Sequence, residues 1–392
     1  MPVMDLFCGC GGMSYGFRSA GFNIVAAFDS WESAIRCYNR NIPGEHASIL
    51  DLSNVAAAVQ AIVPFNPTII IGGPPCQDFS NAGTRIEGVR ANLTYLYSEI
   101  ITGIMPQYFV MENVPRAMNS EAYRKARQNY INAGYGLTEV ILDASKCGVP
   151  QKRNRFFCIG ALGAPHGFLY GNIFTYYCDG EISVRDYFIE QRYPLDIDAY
   201  YRHPTTYDRR AVYSVDYASP TIRGVNRPKP PTYNRHPKDE TTEESMENIR
   251  HLTKRERAYI QTFPGDFIIE GLDISNGDIE QMIGNAVPVL LAEFVARRLN
   301  EYIGGIFMER DNAFVDWLKS SRSYTDRTIG DIYSRIRRAQ EFLPEQPLNK
   351  YFITDLEETP EFAELSTDIK SQMRRAIRLR IAFENQTVSD AQ

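Results

Sequence analysis

The sequence predicts an open α/β sheet, and three observations carry that prediction. Short apolar runs recur along the chain, and the most β-branched of them, Pro67-Thr68-Ile69-Ile70-Ile71, reads as a buried strand. The first run, Met1 to Phe7, ends in the turn Cys8-Gly9-Cys10-Gly11-Gly12 and leads into a helix-like stretch to about Ala20. Strand, glycine turn and helix together let a backbone approach a ligand at a helix N-terminus. Finally, Cys76 and Glu112 each stand just past such a run, at the carboxyl ends of strands where open α/β sheets bind ligands.

Taken in order, Asn23 to Asp29 forms a second strand whose terminal acid falls about 20 residues past the glycines, a place that suits hydrogen bonding to ribose hydroxyls. Asp51 closes a third, Ser48-Ile49-Leu50. After Ile71 comes Gly72-Gly73-Pro74-Pro75-Cys76-Gln77-Asp78-Phe79-Ser80, a loop stiffened by two prolines of fixed φ. On its own, Cys76 reads either as a reactive thiol or as an inert buried one. Ala82 to Leu93 is polar and contains glycine, as a lid would. Gln107 to Met111 is a further strand ending in Glu112-Asn113-Val114-Pro115, where Glu112 alone also suits a cap or loop acid. Val140-Ile141-Leu142 and Arg155 to Gly160 complete the strands. Arg153 and Arg155 alternate in the latter's approach and share one face of an extended segment. Two guanidinium forks on one side suit a phosphate or a carbonyl oxygen.

Length and composition bound the rest. A chain of 392 residues accommodates one large domain and one or two smaller units. The seven cysteines are odd in number and irregularly spaced, with no signal peptide ahead of them, which predicts a reducing, cytoplasmic setting without a disulfide framework. Cys8 and Cys10 lack a second ligand pair at metal spacing, so no metal site is expected. No apolar run approaches the roughly 18 residues of a membrane span. The net charge of -6 hides a local excess: Tyr200 to Arg235 holds seven cations, including Arg209, Arg210, Arg223 and Arg227, against two anions. Six tyrosines interleave them. That pattern suits phosphate contact and base stacking, or else a solvated loop.

The blocks Asp5-Leu6-Phe7-x-Gly9-x-Gly11-Gly12, Pro74-Pro75-Cys76-Gln77-x-Phe79-Ser80, Glu112-Asn113-Val114, Gln151-x-Arg153-x-Arg155, Leu252-Thr253-x-Arg255-Glu256 with Gln261-x-Phe263-Pro264, and Gly284-Asn285-x-Val287-Pro288 follow one another between residues 5 and 288. Their order resembles the motif set of the DNA cytosine-5 methyltransferases of bacterial restriction-modification systems. The resemblance implies a Rossmann-like, S-adenosylmethionine-dependent methyltransferase sheet over residues 1–163, completed by 280–304. It further implies a target recognition region and small domain over 164–279. It makes Cys76 the nucleophile that adds to cytosine C6, Glu112 the acid at N3 and N4, Arg155 the contact to O2, and Arg153 a support for the same loop. For the cofactor, S-adenosyl-L-methionine, it implies Phe7, Gly9 and Gly11 around the methionine portion, Asp29 at the ribose, Asp51 near the adenine amino group, and Pro75, Leu93, Asn285 and Val287 as further contacts. Ala82 stands where family members often place a larger or polar residue, so the residue that fills the vacated space in DNA stays open.

The implied partners are duplex DNA and, functionally, a cognate restriction endonuclease, with Arg209, Arg210, Arg223 and Arg227 as DNA contacts. The arginines of Ser219 to Pro228 suit guanine edges or phosphates equally. Residues 305–392 lie outside the motif set; Ile329, Ile332, Tyr333, Ile336 and Leu343, and Ile369, Met373, Ile377 and Ile381, mark helical stripes. They predict a small helical appendage, or a partner-binding or dimer-forming module. Two rival functions are a tRNA cytosine-5 methyltransferase and a non-catalytic DNA-binding relative.

Overall fold

In the computed structural model the apolar runs become strands. The structure describes residues 1–44, 47–75, 92–177, 180–203, 211–226, 236–237, 239, 249–305, 309–344, 346–349 and 351–389. Strands β1 (Pro2–Leu6), β2 (Asn23–Asp29), β3 (Ala47–Ile49), β4 (Ile69–Gly72), β5 (Tyr108–Asn113), β6 (Tyr135–Asp143) and β8 (Asn154–Leu162) make a seven-stranded sheet in the order β3-β2-β1-β4-β5-β8-β6. The two-residue β7 (Gln151–Lys152) precedes β8. The first five strands pair in parallel and β8 is antiparallel to both neighbours. Parallel strands need both faces covered, and β4 is accordingly buried along its whole length.

The chain runs outward from β1 through β2 to β3, then returns to place β4 on the other side of β1. This reversal is the switch point at which an open sheet leaves a crevice beyond its strand ends. The register makes that crevice specific: Leu6 pairs with Gly72, and Gly72 with Met111. The chain therefore leaves β1 at Phe7 and β4 at Gly73 side by side, next to Glu112 near the end of β5.

Helices α1 (Gly12–Ser19), α2 (Glu32–Asn41), α3 (Val55–Ile62), α4 (Asn92–Ile104) and α5 (Glu121–Asn132) connect the strands. Ser120 caps α5 by accepting the Tyr123 N–H at 3.0 Å. Ala82 to Ala91 of the expected lid lie outside the described residues, whereas Asn92 and Leu93 already open α4. Farther along, the chain forms two helices, α9 (Asn276–Asn285) and α10 (Val289–Ile303). Pro288 has no N–H to continue the first. By length and composition the stretch Asn276–Ile303 is apolar enough to cross a membrane, but 61% of its apolar 18-residue window is buried inside the protein. Helix α10 lies on α1: a Cβ at Gly16 would sit 2.5 Å from the Glu293 nitrogen, and one at Gly12 would sit 2.3 Å from the Val287 oxygen.

A second layer of the same unit contains α7 (Val184–Gln191), the short strands β9 (Tyr200–Arg202), β10 (Val212–Ser214) and β11 (Ser219–Pro220), and α8 (Lys254–Ile260). Its core includes Phe188, Tyr201, Ile222, Ile260 and Phe263, and it takes in Ala34 and Cys37 of α2. The chain divides into two compact units, Met1–His166 with Gly180–Asn300, and Gly167–Asp179 with Glu301–Gln392. In the second, α6 (Tyr170–Tyr176) packs with α11 (Glu309–Arg322) and α12 (Asp326–Phe342), and α12 shares a further core with α13 (Phe352–Glu357), α14 (Pro360–Ala363) and α15 (Thr367–Ser389). Residues 167–179, expected with the recognition region, belong to this second unit. Phe174 instead stacks on Tyr333 with centroids 6.0 Å apart, and Asn312 bonds the Gly171 N–H and the Phe168 carbonyl. Ile329, Ile332, Tyr333, Ile336, Met373 and Ile377 are buried, as their spacing predicts, while Ile369 is 36% exposed.

Candidate active site

Glu112 is the next-to-last residue of β5, and its carboxylate Oε1 accepts from Arg155 Nε at 2.8 Å. The two side chains are only 11% and 13% exposed. Burial pushes the Glu112 carboxyl above its usual range, while the guanidinium groups of Arg155 and Arg153 pull the other way. The site thus holds a carboxyl that keeps its proton more readily than a surface glutamate and a cation within contact of it. Gly73 runs directly past this carboxyl, since a Cβ there would meet Glu112 Oε2 at 3.2 Å. Asn113 donates from Nδ2 to the Pro74 carbonyl at 3.2 Å and to Thr94 Oγ1 at 3.4 Å, tying β5 and α4 to the proline arm. The arm is described as far as Pro75; Cys76 lies outside the described residues.

Arg153 and Arg155 do not share a face toward one ligand. Arg153 falls in the break between β7 and β8 and is 2% exposed. Its Nη1 donates to the Ile222 carbonyl at 2.9 Å, and its Nη2 donates to those of Gly284 at 2.9 Å and Ala286 at 3.2 Å. Gly284 is in the last turn of α9, and the residue four places on is Pro288, which has no N–H to offer. Arg153 supplies the missing donor and a favourable charge at the helix C-terminus. An interruption of the strand, invisible in the alternating pattern, turns its side chain inward.

Around it lies a polar network that the sequence reading did not assign. Gln151 is fully buried, donates to Gln261 Oε1 at 2.7 Å and accepts the Ile222 N–H at 2.8 Å. Gln261 in turn donates to the carbonyls of Ile283 at 2.5 Å and Ala286 at 3.1 Å. Arg257 of α8, 2% exposed, donates to the Arg223 carbonyl and lies 3.3 Å from Glu280, which accepts the Asn226 N–H at 3.0 Å. Gln151 and Gln261 both stand inside the motif blocks, and Gln261, an amide between Ile260 and Phe263, carried the available signal. The backbone of segment 219–226 is thus held by side chains of other elements, with Ile222 buried and Arg223 exposed. Arg209, Arg210 and Arg227 lie outside the described residues.

At the switch point, Phe7, Gly9 and Gly11 have φ of 56°, 53° and 94°. That left-handed path is easy for glycine and strained for Phe7. Asp29 at the end of β2 accepts the Gly9 N–H and the Trp31 N–H, each at 2.9 Å. Burial raises its carboxyl above the ordinary range against those two bonds and one from Ser30. Asp51 is exposed two residues past β3, and the Leu50 N–H reaches the Asp29 carbonyl at 3.0 Å, so both acids stand at adjoining strand ends. Val287 backs the turn through Gly12, Asn285 is exposed at the end of α9, and Leu93 is half-buried at the start of α4. Two carboxylates at neighbouring strand ends beside a backbone turn match the hydroxyls, amine and amino group of a nucleoside bearing an amino acid. Beneath them, Asp5 is 1% exposed and accepts from Ser14 Oγ at 2.6 Å, which accepts from the Tyr38 hydroxyl at 2.8 Å.

An open, mostly parallel sheet with a nucleoside-type turn beside a paired acid and arginine is the arrangement of a methyltransferase-type α/β enzyme, and comparison with known proteins makes it particular. The C-5 cytosine-specific DNA methylase family model matches residues 1–170 and 175–301. The chain is 49% identical over 297 residues to the Type II methyltransferase M.HindV of Haemophilus influenzae, covering 76% of this chain and 95% of that protein. It is 50% identical over 304 residues to M.HgiDI of Herpetosiphon aurantiacus, covering 77% and 95%. Among solved structures, S. pombe Dnmt2 methyltransferase matches with TM-score 0.59 and 20% identity over 77% of this chain and 99% of its own, a likeness of fold. The chain belongs to the C-5 cytosine-specific DNA methylase family and is an S-adenosylmethionine-dependent DNA (cytosine-5-)-methyltransferase.

Proposed function

We propose that the protein methylates C5 of a cytosine rotated out of a short specific duplex sequence, through a Cys76–C6 adduct, and so protects host DNA from a cognate restriction endonuclease. The restriction-modification setting draws on the relatives near 50% identity, which carry the name Type II methyltransferase. The single observation that carries the chemistry is the shielded Glu112–Arg155 pair beside the proline arm that leads to Cys76.

Cytosine C5 is a weak nucleophile, and C6 is out of reach inside a stacked duplex, so the base is extruded at a cost of a few kcal/mol. Cys76 Sγ then bonds to C6, and the displaced electron pair moves toward C5 and the N3 side of the ring. A free thiol is only a few per cent thiolate at neutral pH. Glu112, whose burial favours the protonated form, shares its proton with N3, and Arg155 faces the O2 that gains charge. When bound, S-adenosylmethionine would supply its sulfonium methyl to C5, the methyl–sulfur bond breaking as the carbon–carbon bond forms and S-adenosylhomocysteine leaving as a neutral thioether. The C5 proton then leaves to a base, the C6–sulfur bond breaks, and Cys76 is regenerated. Phe7, Gly9, Gly11, Asp29, Asp51, Pro75, Leu93, Asn285 and Val287 hold the cofactor in this reading; Arg153 positions the strand and touches no reacting atom. Incubation with labelled S-adenosylmethionine and either duplex DNA or tRNA tests the assignment. Label in duplex DNA as 5-methylcytosine is expected, and label in tRNA alone overturns it.

A further inference from the structure

We propose that Arg223 reads a base edge within the recognition sequence instead of holding a phosphate; the inference rests on the DNA-methylating function proposed above. Of the cations in the basic stretch, two are described, and they differ in kind. Arg202 is 4% exposed and donates from Nε to the Ile249 carbonyl at 3.2 Å. Arg223 is exposed, and its side chain forms no hydrogen bond or ion pair with the described residues.

What sets Arg223 apart is its backbone. The residue before it is fixed at both its N–H and its carbonyl, by Gln151 and Arg153, and its own carbonyl is held by Arg257. On the following side Gly224 lies so close to α9 that a Cβ on Gly284 would sit 2.1 Å from the Gly224 nitrogen. Buried amides and guanidinium groups are costly to place and are fully committed here to one turn of chain. A phosphate contact needs little of this, because a charge acts over several ångströms and tolerates a mobile tether. A bidentate contact to guanine O6 and N7 needs a donor fork set to within a fraction of an ångström. The same clamps join the turn to β7 and to the strand that carries Arg155, so an arginine seated on a base edge and the catalytic pair share one support.

The test expresses wild type, R223A and R223K in a host free of cytosine-5 methylation and maps methylated sites by bisulfite sequencing. Purified proteins are then compared in binding and methylation of the wild-type site and its single-base variants. R223A is expected to lose roughly 5- to 150-fold discrimination at one base-pair position, with new sites relaxed there. R223K, lacking the fork, is expected to recover only part of it. An unchanged site profile with uniformly weaker binding and a shallower salt dependence overturns the inference in favour of a phosphate contact. If R223A does not methylate, its binding preference decides: retained preference at every position overturns the proposal. Wild-type protein that methylates no DNA instead removes the underlying function, and this inference with it.

Discussion

Replacing Arg153 by methionine separates a positioning role from a catalytic one. Methionine fills similar space without a donor. Of the carbonyls of Ile222, Gly284 and Ala286 that Arg153 serves, that of Ala286 keeps its bond from Gln261 at 3.1 Å. Those of Ile222 and Gly284 lose theirs, and Pro288 cannot replace it for Gly284. Two bare buried acceptors at about 1–3 kcal/mol each give a loss of about 2–6 kcal/mol. Relief of the guanidinium's own desolvation opposes this, so a net loss of ~2–4 kcal/mol is expected. Urea unfolding reads that loss directly, and a melting temperature lower by roughly 4–16 °C accompanies it. Single-turnover methyl transfer at low temperature, where the variant is folded, should stay within about tenfold of wild type, since the Glu112–Arg155 contact is untouched. Wild-type stability combined with a thousandfold slower chemical step would refute the reasoning and return Arg153 to the reacting atoms.

Three further outcomes are expected. Cys76→Ala abolishes methyl transfer while calorimetry shows cofactor binding close to wild type; substantial turnover in that variant would end the nucleophile assignment. Gly73→Ala pushes a Cβ to 3.2 Å from Glu112 Oε2 and should slow the chemical step by roughly tenfold or more with cofactor affinity retained; an unchanged rate counts against a tightly set carboxyl. Burial lifts the Asp5 carboxyl to about 7, so the folded protein binds this proton more tightly than the unfolded chain. Its stabilising contribution is complete below pH about 4 and is lost as pH rises through about 7. Asp5→Asn should therefore lose less stability than wild type between pH 5 and pH 8 in urea titrations, and parallel curves would refute the assignment.

Much of the sheet was legible because parallel strands buried on both faces must be short apolar runs, as at Ile69–Gly72. The site was legible in part for the same reason, since strand ends at a switch point are where chemistry collects, and Glu112 falls there. What local pattern could not carry is partnership at a distance. The insertion of β8 between β5 and β6, reversing direction, depends on pairing across the sheet. Arg153 and Arg155 alternate in sequence, yet the gap between β7 and β8 sends one to Ile222 and Gly284, residues 69 and 131 positions away. Gln261 and Arg257 were passed over because their partners lie on other elements. The grouping of α6 with the C-terminal helices rests on Phe174 meeting Tyr333, a contact across 159 positions of chain.

The central claim is that Cys76 bonds to C6 of a cytosine seated against Glu112 and Arg155. Duplex DNA carrying 5-fluorocytosine at the methylated position tests it most directly, because fluorine at C5 replaces the proton whose removal releases the enzyme. With S-adenosylmethionine present, the account predicts a stable protein–DNA adduct whose proteolysis places the DNA on the peptide containing Cys76, and no adduct with Cys76→Ala. Turnover of normal DNA without any trapped adduct, or an adduct that persists in Cys76→Ala, would contradict it.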